Sequence, residues 1–88
     1  MTSVFDEMLD VARRLGIVVR HVSLGGSGGG LAVVKGQRHL FIDTTAHPED
    51  QLQTVAKALA GLPEIPNLFL RPDVRKVIER YRSPELQE

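Results

Sequence analysis

The chain has 88 residues, of which 42% are hydrophobic, and its 11 basic and 11 acidic residues cancel to zero net charge. This length fits a single domain with a thin core, and a neutral chain lacks the strong positive field that binding along a nucleic-acid backbone requires. The absence of cysteine excludes disulfides, thiolate metal sites and a cysteine nucleophile, and it favours a cytoplasmic location because small secreted domains usually depend on disulfides. We expect no membrane association, since no segment approaches the roughly 20 apolar residues of a membrane span.

An amphipathic helix is the first predicted element, over residues 3–16. Ser3 suits its N-cap, and Gly16 suits the residue that ends it. The next eight residues, IVVRHVSL, are rich in β-branched side chains and predict a strand over 17–24. The apolar residues that recur at helical spacing in the first segment are Phe5, Met8, Leu9, Ala12 and Leu15.

Two apolar runs flank Gly36-Gln37 and predict a β-hairpin over residues 31–43. A glycine in the first loop position suits a type II′ turn, which pairs Lys35 with Arg38 and Val33 with Leu40. One face then carries Leu31, Val33, Leu40 and Ile42. The other face carries Ala32, Val34, His39 and Phe41. Both faces are therefore largely apolar, and one layer of helices covers only one of them.

The remaining elements are two helices and a short extended segment. HPEDQLQTVAKALAGL predicts a second helix with Pro48 in its first turn, and RPDVRKVIERY predicts a third with Pro72 near its start. The LFL between them, residues 68–70, is a candidate short edge strand. The fold class is thus α+β: a three-stranded antiparallel sheet, or four-stranded with this segment, packed with helices in the order α-β-β-β-α-(β)-α. We predict one domain over residues 1–82 and a frayed tail over 83–88.

A run of glycines, GGSGGG, joins the first two predicted strands. The P-loop pattern fails because Leu31 and Ala32 stand where lysine and a hydroxyl residue belong, and a strand rather than a helix follows. A flexible connection between strands is the plainer interpretation. Five glycines lose much conformational entropy on folding, so the alternative is a loop that lets a binding partner approach closely. Its residues are Gly25, Gly26, Ser27, Gly28, Gly29 and Gly30.

Histidines and carboxylates offer one hypothesis of a metal site. His21 and His39 lie on predicted strands, and Asp43 or His47 would supply a third ligand near the end of the last strand. Zinc requires three or four ligands in fixed geometry, and no spacing in this chain indicates that arrangement. We therefore predict no resident metal or cofactor, and we interpret these side chains as strand or cap residues.

The segment Arg71–Arg82 is the most basic part of the chain, with five basic and two acidic residues. A nucleic-acid or acidic-partner surface is one interpretation of it. The other is a solvated helix face with an Arg75–Glu79 pair at i, i+4. Aromatic residues for base stacking are scarce, with three phenylalanines and one tyrosine.

The strand end LFID, a short loop and PEDQLQTVAKALAGL resemble a segment of the small zincin metallopeptidases that cleave phage-type repressors. In that family the helix carries A-H-E-L-G-H-L. Here Ala56, Leu59 and Leu62 match the apolar frame, but Lys57 and Gly61 stand where the zinc histidines would be. Ala58 stands where the general-base glutamate would be. The resemblance covers about a quarter of the chain, and it carries over no ligand or catalytic residue.

A broader likeness runs through the glycine-rich entry to a strand, KGQRHLFID, PEDQLQTVAKAL and LFLRPDVRKVIERY. These segments resemble a group of short bacterial proteins to which no activity is assigned.

The leading hypothesis for function is a non-catalytic interaction module that forms a homodimer through the face of Ala32, Val34, His39 and Phe41. The alternatives are a nucleic-acid-associated regulatory protein that uses Arg71–Arg82, and a metal-dependent enzyme.

Overall fold

A computed structural model describes residues 3–26 and 28–82 of the chain. Three helices and a three-stranded sheet make up this part, and residues 1–2, Ser27 and the predicted tail over 83–88 lie outside it. The elements are helix α1 (Val4–Arg14), strands β1 (Val18–Val22), β2 (Gly30–Val34) and β3 (Gln37–Asp43), helix α2 (Pro48–Ala60), a 3-10 turn (Ile65–Asn67) and helix α3 (Pro72–Arg80).

Helix α1 begins and ends as its sequence predicts. The Ser3 hydroxyl accepts a hydrogen bond from the backbone N–H of Asp6 at 3.1 Å, which satisfies one of the free donors of the first turn. Gly16 follows the helix with a φ of 79°, a left-handed conformation that glycine adopts without strain. The buried stripe is wider than predicted, because Val11 is buried together with Met8, Leu9 and Ala12.

The sheet is mixed, so the prediction of a purely antiparallel sheet is wrong. The strand order is β1-β3-β2. Strand β3 pairs with β2 in an antiparallel manner and with β1 in a parallel manner, with Val18 opposite His39. The physical reason is burial: β3 supplies the fully buried Leu40 and Ile42 and takes the central position, which moves β2 to an edge. The glycine-rich connection allows this crossing because it does not hold β1 beside β2.

The candidate fourth strand over Leu68–Leu70 is also wrong within the described residues. A 3-10 turn at Ile65–Asn67 precedes this segment, and the described sheet contains three strands. Leu68 and Leu70 instead pack on the helical core, which leaves Phe69 between them 89% exposed. The segment therefore links α2 to α3 without reaching the sheet.

The hairpin forms, but its turn lies one residue earlier than predicted. Lys35 and Gly36 are the loop residues, with φ values of 51° and 78°, so the turn is of type I′ rather than II′. Val34 now lies opposite Gln37 and Leu31 opposite Leu40. The pairing differs from the predicted register by two residues, and a shift of two keeps every side chain on its predicted face.

Replacing Lys35 by asparagine is expected to raise the free energy of unfolding by roughly 0.5 kcal/mol, because asparagine tolerates the left-handed conformation better than lysine does. Urea unfolding followed by circular dichroism measures the change. Lys35→Ala is the control, since it removes the same charge but keeps the backbone strain. Equal stability of the asparagine and alanine variants would contradict the assignment of a strained turn.

All three helices lie on one side of the sheet. Helix α2 packs against β3 and β2, α1 packs against β1 and α2, and α3 packs against α1 and α2. One hydrophobic core joins them to the inner face of the sheet, where Leu40 and Ile42 are fully buried. Helix α3 therefore does not cover the opposite face of the sheet.

Candidate interaction surfaces

The outer face of the sheet is the side away from the helices. Residues that lie opposite each other in paired strands point to the same side, so the register assigns the members of this face. On β1 they alternate with the inward-facing Val19 and His21. The outer face consists of Val18, Arg20, Val22, Gly30, Ala32, Val34, Gln37, His39, Phe41 and Asp43.

Two aromatic rings occupy the centre of the outer face. His39 and Phe41 lie two residues apart on β3, and their rings stack with centroids 5.9 Å apart and an angle of 16° between the planes. Both side chains are half-buried. The Nδ1 atom of His39 is buried and makes no hydrogen bond with the described residues. The stack thus forms a flat, mainly apolar centre that the flanking strands border.

Aliphatic side chains on the flanking strands are exposed. Val18 on β1 is 37% exposed and Val34 on β2 is 45% exposed, and Ala32 is exposed beside His39. The predicted interaction residues Ala32, Val34, His39 and Phe41 therefore do share one face. That face has no covering element among the described parts of the chain.

Asp43 organises the glycine-rich loop. Its carboxylate is only 2% exposed, although it ends the outer side of β3. One oxygen accepts hydrogen bonds from the Thr45 hydroxyl at 2.6 Å, the Thr45 N–H at 2.9 Å and the Leu24 N–H at 3.0 Å. The other oxygen accepts from the Gly28 N–H at 3.2 Å. These hydrogen bonds, with that of the Thr45 hydroxyl foremost, hold the pKa of Asp43 far below its ordinary value.

The sequence predicts only part of this role. The interpretation of Asp43 as a cap residue agrees with its hydrogen bonds with Thr45 in the following turn. It missed the two backbone donors of the preceding loop, Leu24 and Gly28. An acidic residue at the end of a core strand, close to a glycine run with unpaired N–H groups, is the signal that could have indicated them.

A groove of about 550 Å³ lies between the glycine-rich loop and helix α2. Leu31 of β2 contributes an apolar wall, and Asp50, Thr54 and Lys57 line the helix side. Lys57 and Ala58 both border this groove, whereas Gly61 follows the end of α2. The positions that would carry zincin chemistry thus hold an amine, a methyl group and a hydrogen atom.

The metal hypothesis receives no geometric support. His21 lies opposite Ile42 and so belongs to the inner face, while His39 belongs to the outer face. Asp43 already accepts four hydrogen bonds, and His47 is an exposed cap residue of α2. Within residues 3–26 and 28–82, no group of three or more potential ligand side chains is placed to hold a metal ion.

The basic segment is largely occupied by contacts within the fold. Arg71 pairs with Asp73 at 2.7 Å and with Glu7 at 3.7 Å. Arg75 donates to the carbonyl oxygen of Leu68 at 3.0 Å instead of pairing with Glu79 as predicted. Glu79 contacts Arg82 at 3.5 Å. These contacts reduce the positive charge that the segment can present to a nucleic acid.

Each described helix is too short or too polar to span a lipid bilayer. Comparison of the chain with models of protein families, with curated proteins and with solved structures finds no match. Function must therefore be argued from the surfaces themselves.

Proposed function

We propose that this protein is a non-catalytic interaction module that forms a homodimer through the outer face of its sheet. The observation that carries the proposal is the one-sided arrangement of the helices, which leaves Val18 and Val34 exposed on either side of the His39–Phe41 stack. Contiguous apolar surface of this kind on a folded domain marks interaction sites. A second copy related by a two-fold axis presents the same surface and is self-complementary to it.

The distribution of charge on the outer face fits this use. Asp43 on this face is buried under its loop contacts, whereas the charged Arg20 is exposed and lies on β1, an edge strand. Its long side chain can keep the guanidinium in water at the rim while two apolar centres meet. Interfaces commonly combine such a polar rim with an apolar core that contains aromatic residues.

The non-catalytic part of the proposal rests on the chemistry of the groove and of the titratable groups. Lys57 and Ala58 supply neither a zinc ligand set nor a general-base carboxylate. The Asp43 carboxylate already accepts hydrogen bonds from the loop, and the two strand histidines lie on opposite faces of the sheet. The cytoplasmic location that we assign to the module rests on the absence of cysteine.

Val18→Asp is expected to weaken dimerisation at least 100-fold, about 2.7 kcal/mol, because each copy would bring an unpaired charge into the apolar interface. Val34→Asp should act in the same direction. Sedimentation velocity over a concentration series measures the dissociation constant, and circular dichroism confirms that the variants fold. Phe69→Asp is the matched control, since it adds the same charge at a site that is 89% exposed and distant from the sheet.

A smaller assembly of folded subunits in Val18→Asp, with Phe69→Asp unchanged, would support the proposed interface. An oligomeric state that does not respond to Val18→Asp would contradict it. Unfolding of both sheet variants without a folded monomer would show that the face belongs to the core of the single chain, which would also contradict the proposal.

A further inference from the structure

Strand β2 has an unprotected free edge. The order β1-β3-β2 leaves one side of this strand without a neighbour in the described sheet. Residues 31–34, with the sequence LAVV, are all exposed, and Val33 is 66% exposed. Natural proteins shield such edges with charges, proline or bulges, and β2 contains none of these. The other edge strand, β1, carries Arg20 and His21 and is protected in this way.

The hairpin decides which backbone groups of β2 point outward. In an antiparallel pair, residues alternate between those that bond the neighbouring strand and those that do not. Val34 and Gln37 flank the two-residue turn and form a bonded pair. Counting back from Val34, Ala32 also bonds β3, so Leu31 and Val33 direct their N–H and C=O groups to the free edge.

This edge is complementary to itself. An antiparallel copy centred on Ala32 places Leu31 opposite Val33 of the second copy, so that the outward groups of both strands meet as hydrogen-bonded pairs. The same register places Gly30 opposite Val34 of the second copy. On the outer side Val34 then faces Gly30, which has no side chain to obstruct it, and on the inner side the aliphatic side chains of Leu31 and Val33 meet.

The groove beside α2 supplies space for this arrangement on the inner side. It has a volume of about 550 Å³, and Gly30 and Leu31 of β2 already form part of its wall. Val33 and Leu31 of a second copy would approach this wall from the free edge. The methyl group of Ala58 and the aliphatic stem of Lys57 provide apolar surface opposite them.

We propose that β2 pairs with β2 of a second copy to form a continuous six-stranded sheet, in addition to the contact through the outer face. The two-fold axis of this edge contact is normal to the sheet, whereas the axis of a face-to-face contact lies parallel to it. Where two such perpendicular axes intersect, they generate a closed tetramer, a common symmetry of soluble oligomers. Helices would cover both outer sides of the assembly, and the two six-stranded sheets would meet at its centre.

The outer face of one sheet is small compared with a typical stable interface, which favours a second contact between copies. Strands of five, five and seven residues, about 4.8 Å apart and with about 3.3 Å per residue, have a projected area of about 270 Å². A standard stable interface buries roughly 800 Å² per partner. Edge pairing doubles the apolar face that each half of the assembly presents and adds main-chain hydrogen bonds.

Val33→Lys tests the edge contact, because lysine is a side chain with which natural edges block pairing. We expect a tetramer for the unmodified protein and a dimer for Val33→Lys in light scattering coupled to size-exclusion chromatography. Phe69→Lys, with the same added charge at a remote exposed site, should remain a tetramer. Hydrogen exchange on the unmodified protein gives a second measurement: the amides of Leu31 and Val33 should be protected in the assembly and should lose that protection on dilution.

The results separate this contact from the proposed outer-face dimer. Rapid exchange of the Leu31 and Val33 amides at every concentration, with an oligomeric state that Val33→Lys leaves unchanged, would overturn the edge contact, and dissociation by Val18→Asp would then still support the outer face. Loss of association in Val33→Lys, with no response to Val18→Asp, would support the edge contact and contradict the outer face. A monomeric unmodified protein would overturn both.

Discussion

Replacing Asp43 by asparagine is expected to lower stability more than any other single polar substitution in the described residues. The buried carboxylate accepts four hydrogen bonds. Asparagine keeps one acceptor oxygen, which can retain the bonds from Thr45 and Leu24. Its NH₂ group then faces the Gly28 N–H and cannot accept a hydrogen bond from it. A buried donor that loses its acceptor costs more free energy than the bond itself contributes.

The measurement is hydrogen exchange at the Leu24 and Gly28 amides together with the urea midpoint of unfolding. The Gly28 amide should exchange faster in Asp43→Asn, and the midpoint should fall. Thr45→Val is the control, since it removes only the hydroxyl donor and should have a smaller effect. An asparagine variant with unchanged exchange at both amides would show that the carboxylate does not hold the loop.

The same variant has a defined pH dependence. The pKa of Asp43 is lowered in the folded state, mainly by the hydrogen bond from the Thr45 hydroxyl. A lowered pKa stabilises the fold above the unfolded value of about 3.9, and this contribution disappears as the pH falls below that value. Hydrogen bonds from Arg38 and Arg71 also lower the pKa values of Glu64 and Asp73. The difference between the unmodified protein and Asp43→Asn should therefore shrink from pH 6 to pH 2, and this isolates Asp43.

Replacing Gly29 by alanine is expected to destabilise the fold by about 3 kcal/mol, at the upper end of the range for overpacking. A Cβ atom at this position would collide with the carbonyl oxygen of Phe41 and lie 2.7 Å from its carbonyl carbon. The obstacle is backbone of the central strand, so no side-chain rotation relieves it. The loop would have to move away from β3, which would also separate Gly28 from Asp43.

Chemical unfolding measures this change, and Gly61→Ala is its control. An added Cβ at Gly61 meets nothing closer than 3.9 Å, and its φ of −87° suits any residue. Gly61→Ala should thus keep or slightly raise stability. If Gly29→Ala is as stable as Gly61→Ala, the close approach of the loop to β3 is wrong.

The helices were predictable because their signals are local. Ser3, Gly16, Pro48 and Pro72 mark helix boundaries through capping and fixed backbone angles, and the structure confirms each. The membership of the two sheet faces was predictable for a similar reason, since alternation along a strand survives an error of two residues in register. Ala32, Val34, His39 and Phe41 accordingly share a face although the turn was placed wrongly.

Strand order was not predictable, because it depends on a contact between distant segments. Nothing near Val18 in the sequence indicates that it lies beside His39 rather than beside β2. The position of the turn depended on whether Lys35 accepts a left-handed conformation, which its residue type disfavours. The loop contacts of Asp43 required the same long-range arrangement, because Leu24 and Gly28 meet it only after β1 and β3 have paired.

The parallel pairing of β1 with β3 also bears on the order of folding. The β2–β3 hairpin closes a two-residue loop and can form within microseconds. Strand β1 pairs with β3, which is distant in sequence, so this pairing is expected to form later. Closing the longer connection costs conformational entropy before any contact repays it. The glycine-rich loop therefore connects the two segments that must meet in this late step. Asp43 holds the loop only in the folded protein, so replacing Asp43 should raise the unfolding rate more than it lowers the folding rate.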